Sequence, residues 1–490
     1  MTRSDSPRSV KTLDTDLGRI STLEAATQAV ARPLIAPGIA LAFMVVVGII
    51  ATIYMGTQPL GFVVVAAAVF GAYMALNIGA NDVANNMAPA VGARALTLGG
   101  ALVIAAICET AGALLAGGDV VGTVSRGIIA PESLPDRQVF IWAMMAALIA
   151  AALWINLATW IGAPVSTTHS VVGGVMGAGI ASAGFAAVNW ATMSQIAASW
   201  VISPVMGGVI AASFLAFINA RIIYVPDKIA AARVWVPVLI GIMAGTFAVY
   251  LSIKGLERIV SVDLGTAMLI GIGVAVVITL LMRPVIRRQS QGLENRNKSL
   301  KVLFSIPLVL SAGLLSFAHG ANDVANAVGP VAAIVQAVGD GAATDEAVTI
   351  PLWVMMIGAF GLSVGLILFG PKLIRMVGDE ITKLNAMRAW CVALAAAITV
   401  IIASWLGLPV SSTHIAIGGI FGVGFFREWY AENVLRKERN GGKLPLEERT
   451  RRKLVRRSHF LTILAAWVIT VPAAAALSAG VFLALNLITL

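Results

Sequence analysis

Apolar runs of roughly 20 residues, each long enough to cross a bilayer, recur from Leu34 to Leu487 with short polar stretches between them. The pattern predicts helical spans over 34–55, 60–92, 96–116, 193–219, 234–253, 264–282, 302–338, 351–370 and 459–487. Two pairs of shorter legs are predicted at 139–161 with 163–186 and at 389–408 with 409–426. The runs 60–92 and 302–338 are too long for one crossing. A straight helix over 60–92 would measure about 50 Å, against a hydrocarbon core of roughly 30 Å. Both runs carry a cluster of Gly, Asn and Asp, which are poor helix formers that favour caps. Each is therefore expected to be an interrupted helix.

Composition agrees with a membrane location. Of 490 residues, 59% are hydrophobic and only 12% charged, about half the charge of a soluble domain. The polar tail 1–33 is too long and too acidic for a signal peptide, so no cleaved leader is expected. The net charge of +10 does not imply a nucleic-acid partner. With the N-terminus inside, 30 of the 34 Lys and Arg fall in 1–33, Arg94, 220–233, 283–301, 371–388 and 427–458. Only Arg126, Arg137, Lys254 and Arg258 remain outside. The loop 339–350 has Asp340, Asp345 and Glu346 and no basic residue. The positive-inside rule thus selects a cytoplasmic N-terminus in a multi-pass protein, with the plasma (inner) membrane as the expected location. The densest basic segment, Arg427–Arg457, reads as a solvated topology signal. Cys108 and Cys391 sit in apolar runs and read as packing residues.

That distribution leaves no Lys or Arg for the membrane interior. Of 24 acidic residues, only Asp82, Glu109 and Asp323 fall deep in spans. Buried ionisable groups in a membrane are costly and point to function.

Two of the three lie in a repeated motif. Gly79-Ala80-Asn81-Asp82-Val83-Ala84-Asn85 recurs letter for letter as Gly320-Ala321-Asn322-Asp323-Val324-Ala325-Asn326. Pro164-Val165-Ser166-Thr167-Thr168-His169 recurs as Pro409-Val410-Ser411-Ser412-Thr413-His414, each copy followed by Gly-Gly-x-x-Gly. Trp200-Val201-Ile202-Ser203 pairs more weakly with Trp467-Val468-Ile469-Thr470. Three matches in one order mark an internal duplication. Each unit makes an odd number of crossings and the linker adds two, so the copies are expected to be inverted. Inverted repeats with interrupted helices and a midplane site are the architecture of secondary transporters.

The motifs suggest a division of labour. A helix break would expose carbonyls beside Asn and Asp oxygens, a donor set suited to Na⁺ with Asp82 and Asp323 supplying charge. Pro-Val-Ser-Thr-Thr-His reads as a capped helix start at the tip of a re-entrant hairpin. Free N–H groups and hydroxyls there suit an oxyanion. With no basic side chain available, a co-bound cation can neutralise anion and carboxylates together, which is a physical basis for symport. His169, His319 and His414 read as packing residues.

These paired motifs resemble the inorganic phosphate transporter family over about 60–487. The resemblance implies a non-enzymatic secondary transporter for inorganic phosphate, coupled to Na⁺ or H⁺. It implies substrate binding by Ser166, Thr167, Thr168, Ser411, Ser412 and Thr413, with Asn85 and Asn326. It implies ion binding by Asn81, Asp82, Asn322 and Asp323. Glu109 is a candidate coupling residue whose second-half counterpart is Leu362. Both Asp motifs are intact, as in sodium-coupled members, so Na⁺ is the expected ion and no further cofactor is implied. Proton coupling, or sulfate as substrate, is the alternative within the family. An intramembrane aspartyl protease is the remote one, disfavoured because both Asp contexts are identical. A homo-oligomer is left open.

The fold expected is therefore all-α and polytopic. It comprises a tail (1–33), an extra transmembrane helix (34–58), transport repeat 1 (59–219), a two-helix linker (220–301) and repeat 2 (302–487) with the basic loop 427–458. That amounts to about 12 membrane segments plus the additional N-terminal span.

Overall fold

A computed structural model describes residues 34–161, 165–255, 262–339, 350–381, 385–435 and 457–489. The tail 1–33, Pro164, Arg258, the acidic residues of loop 339–350 and most of the basic loop lie outside the described residues.

Thirteen long helices account for most of the described chain. They are α1 (Leu34–Met55), α2 (Gly61–Gly92), α3 (Leu98–Ala116), α4 (Arg137–Ile161), α5 (Thr167–Ala183), α6 (Trp190–Ile218) and α7 (Lys228–Tyr250). Then follow α8 (Leu264–Gln289), α9 (Ser305–Gly339), α10 (Leu352–Ile381), α11 (Ala386–Trp405), α12 (Ser412–Tyr430) and α13 (Arg457–Thr489). Ten are long and apolar enough to cross a membrane, and an eleventh is added if α9 is joined to the short helix Asn297–Leu303, which meets it at 48°. The remaining two, α5 and α12, are the second legs of the expected hairpins.

The expectation of interrupted helices is not met. α2 and α9 run unbroken through Gly-Ala-Asn-Asp. In α9 the reason is tertiary. Asn322 spends its amide on Ser404 Oγ at 3.0 Å and the Leu408 carbonyl at 3.1 Å, and its Oδ1 accepts from the Val410 N–H at 3.1 Å. A side chain so occupied does not compete for its own helix backbone. The ladder is weakened further along instead, by Pro89 and Pro330. Proline has no N–H to offer residue i−4, which leaves the carbonyls of Asn85 and Asn326 without that partner.

The two halves pack crosswise. α2 lies along α10 while α9 lies along α3; α5 lies along α13 while α12 lies along α6. Glycines permit the close approach. A Cβ on Gly79 would overlap the Leu362 carbonyl, and one on Gly320 would overlap that of Glu109. Gly365 meets Leu76 and Gly112 meets Phe317 in the same manner. Residues matched between the copies thus make matched contacts, including the pairing of Glu109 with Leu362 aligned from sequence. The linker helices α7 and α8 form a separate pair, held close at Gly241, Gly245 and Gly271.

Candidate functional site

The hairpin tips are built as helix starts. Ser166 caps α5, its Oγ accepting from the His169 N–H at 3.2 Å, and Ser411 caps α12 through the His414 N–H at 3.4 Å. Each hydroxyl keeps its proton for another acceptor. The first-turn N–H groups of both helices have no carbonyl behind them.

The tips meet each other and both repeated Asp segments. Thr168 Oγ1 donates to the Val410 carbonyl at 3.1 Å, and Trp200 Nε1 donates to the Pro409 carbonyl at 3.0 Å. Asn85 donates to Thr413 Oγ1 at 2.7 Å, and its counterpart Asn326 donates to Thr168 Oγ1 at 3.0 Å. Each copy's second Asn therefore reaches the other copy's hairpin.

The carboxylates gather hydroxyls. Asp82 accepts from Thr413 at 3.2 Å, from Thr167 at 3.3 Å and from Asn85 at 3.4 Å. Asp323 accepts from Ser412 at 3.4 Å. Both aspartates are buried, and a carboxylate oxygen of each and a His319 nitrogen all lie within 4.8 Å of one another. The Oδ1 atoms of Asp323 and Asn326 are buried acceptors with no hydrogen-bond donor among the described residues. Orphaned buried oxygens are costly, and this oxygen-rich set suits a hard monovalent cation. The hydroxyl protons of Thr167, Ser412 and Thr413 point at carboxylates, so these side chains present lone pairs at the cluster.

Asn81 is half-buried and makes no side-chain hydrogen bond among the described residues. The hairpin residue matching Leu408, the partner of Asn322, lies outside them.

Glu109 is fully buried one layer away. Its Oε1 accepts from Asn86 at 3.1 Å and lies 3.2 Å from His319 Nδ1. His319 Nε2 is 2.9 Å from Asp323 and 3.7 Å from Asp82. The imidazole thus touches all three deep carboxylates and is not the packing residue expected. The signal available in the sequence was asymmetry, since His319 and Glu109 stand where the other copies have Ile78 and Leu362. His169 and His414 match the expectation better. His169 lies 3.9 Å from the Trp200 ring and 4.8 Å from the His414 ring, centre to centre.

Helices able to cross a bilayer, enclosing a carboxylate and hydroxyl cluster, define a multi-pass integral membrane protein of the transporter class. Comparison with known proteins narrows that class to a family. A family model described as "Phosphate transporter family" matches residues 78–478. A Helicobacter pylori protein named "Putative phosphate permease" is 46% identical over 424 residues, covering 86% of this chain and 80% of the relative. The Arabidopsis thaliana "Inorganic phosphate transporter 2-1, chloroplastic" is 35% identical over 438 residues, covering 84% of this chain and 70% of the relative. A solved structure titled "The sodium-dependent phosphate transporter" superposes with TM-score 0.78 at 35% identity, covering 87% of this chain and all of that one. The chain belongs to the phosphate transporter family, and it is a transporter and not an enzyme.

Proposed function

We propose that the protein is a Na⁺-coupled phosphate symporter that works by alternating access. The observation that carries this reading is the convergence of Asp82 and Asp323, one from each repeat, with the hydroxyls of Thr167, Ser412 and Thr413. The carboxylates and hydroxyl oxygens form the Na⁺ site, joined by the side chains of Asn81 and Asn322. Phosphate takes the first-turn N–H groups of α5 and α12, the hydroxyls of Ser166 and Ser411, and the amides of Asn85 and Asn326, while the hydroxyl protons of Thr167, Ser412 and Thr413 serve the carboxylates and that of Thr168 the Val410 carbonyl. Cation and anion then share one pocket, and each lowers the electrostatic cost of binding the other. The copies are inverted, so exchanging the roles of their hairpins exchanges the open face. The protein lies in the plasma membrane with a cytoplasmic N-terminus, as its basic segments favour.

The sodium-dependent structural relative supports Na⁺ as the ion. One observation favours a second reading. His319 bridges Glu109 and the two aspartates, and a protonated imidazole there would stand in for a cation, giving proton coupling.

Radiolabelled phosphate uptake into proteoliposomes tests both. An inward Na⁺ gradient at equal pH should drive concentrative uptake. Uptake that follows a pH gradient and ignores Na⁺ would replace the first reading with the second.

A further inference from the structure

A polar cavity of about 310 Å³ lies away from the Asp82–Asp323 cluster. Lys298 and Lys301 line it from the short helix Asn297–Leu303, Arg388 from the first turn of α11, and Arg427 from the last turn of α12. The buried amide residue Asn219 completes the polar wall. Both arginines are half-buried, and each is close enough to the other for their charges to repel. The carboxylate of Glu428 acts on Arg427, while Lys298, Lys301 and Arg388 form no ion pair with a carboxylate among the described residues. Four cations against one nearby carboxylate leave an excess of positive charge at the cavity, which a bound anion offsets. Guanidinium groups bind phosphate oxygens in a fixed two-pronged geometry, and the cavity is large enough for a small phosphorylated group.

We propose that this cavity binds a phosphate group, as inorganic phosphate or as the headgroup of an anionic lipid, and couples that binding to the transport site. The coupling follows from what the lining elements carry. α11 and α12 are the two legs of the hairpin whose tip bears Ser411, Ser412 and Thr413. The short helix leads through Phe304 into α9, which bears His319, Asn322, Asp323 and Asn326. Phe304 stacks edge-on against Trp390 of α11, with 5.8 Å between ring centres. An anion bridging Lys298 and Lys301 to Arg388 and Arg427 ties the start of α9 to the outer ends of the hairpin. It thereby restrains any movement of one against the other. The proposed orientation puts the cavity on the cytoplasmic side, where imported phosphate is released.

Arginine-selective dicarbonyl footprinting of the full chain in nanodiscs tests this without relying on transport. Labelling of Arg388 and Arg427 is compared with that of exposed Arg287, which does not line the cavity. Neutral phosphatidylcholine discs are used with and without inorganic phosphate, and phosphatidylglycerol-containing discs without it. Several-fold slower labelling at Arg388 and Arg427, but not Arg287, is expected in at least one arm. Protection by phosphate in neutral discs identifies the free ion, and protection by phosphatidylglycerol identifies a lipid headgroup. Lys298→Gln with Lys301→Gln, both at exposed positions, should remove the protection. Equal labelling in every arm, equal protection of Arg287, or protection that survives the double lysine substitution would overturn the proposal.

Discussion

At the residue scale, the proposed site divides its hydroxyls into two groups that substitution can separate. Thr413 accepts from Asn85 and donates to Asp82, so Thr413→Val removes a proposed cation-ligand oxygen while keeping the shape. A lost hydrogen bond to a charged group costs about 1.5–3 kcal/mol, or roughly 10- to 150-fold in affinity. Half-saturation for Na⁺ should rise by that order, with the phosphate KM at saturating Na⁺ little changed. Ser411→Ala should do the reverse, raising the phosphate KM first, with about 1 kcal/mol of lost capping as a structural background. Identical kinetic changes in both variants would dissolve the division between cation and anion ligands. The sequence made Asp82, Asp323 and the hairpin hydroxyls legible because duplication in apolar surroundings is hard to explain otherwise. It did not make His319 legible. A single histidine beside a motif looks like packing until the fold brings Glu109 from α3 and Asp82 from α2 against it.

At the scale of elements, helix positions followed from hydropathy, and the predicted tips fell where the second hairpin legs begin, at Thr167 and Ser412. The continuity of α2 and α9 was not legible. Low intrinsic propensity is a local preference, and in α9 the pairing of Asn322 with Ser404, Leu408 and Val410 overrides it. Nor did hydropathy predict the short helical turns after α3, between Gly118 and Gly127, since they are too brief to show a period. Close helix packing gives a direct test. Gly79→Ala and Gly320→Ala each push a Cβ into a carbonyl of the facing helix. Overpacking of this kind costs typically 1–3 kcal/mol. Thermal unfolding in detergent should show a clear drop for both and almost none for Gly99→Ala, where nothing lies within 4 Å. Equal melting of all three would mean that the helix contacts are looser than described.

At the scale of the whole molecule, crossed packing of matched elements suits a machine whose halves exchange roles. Val165 and Val410 occupy matched positions just before the two caps. Cysteines placed there, in a background with Cys108 and Cys391 replaced, should react with a membrane-impermeant thiol reagent in opposite fashion as ions and phosphate shift the conformation. Parallel changes at both sites would count against role exchange. Substrate choice is also a property of the whole pocket, which on the proposed assignment pairs an anion with carboxylates and with no Lys or Arg. Protonated phosphate can donate a hydrogen bond to an ionised carboxylate, whereas sulfate has no donor to offer. A site built around a substrate donor rejects analogues that lack it. Arsenate should therefore compete with phosphate uptake far better than sulfate does, and equal competition by sulfate would favour a sulfate permease.

The central claim is that Asp82 and Asp323 join Na⁺ and phosphate movement in one site. The most direct measurement is ²²Na⁺ entry into proteoliposomes driven only by an inward phosphate gradient, with no initial Na⁺ gradient. The wild-type protein should accumulate Na⁺ above equilibrium, and Asp82→Asn and Asp323→Asn should each abolish this while remaining inserted in the membrane. Phosphate entry without Na⁺ accumulation in the wild type, or full accumulation in either variant, would contradict the account.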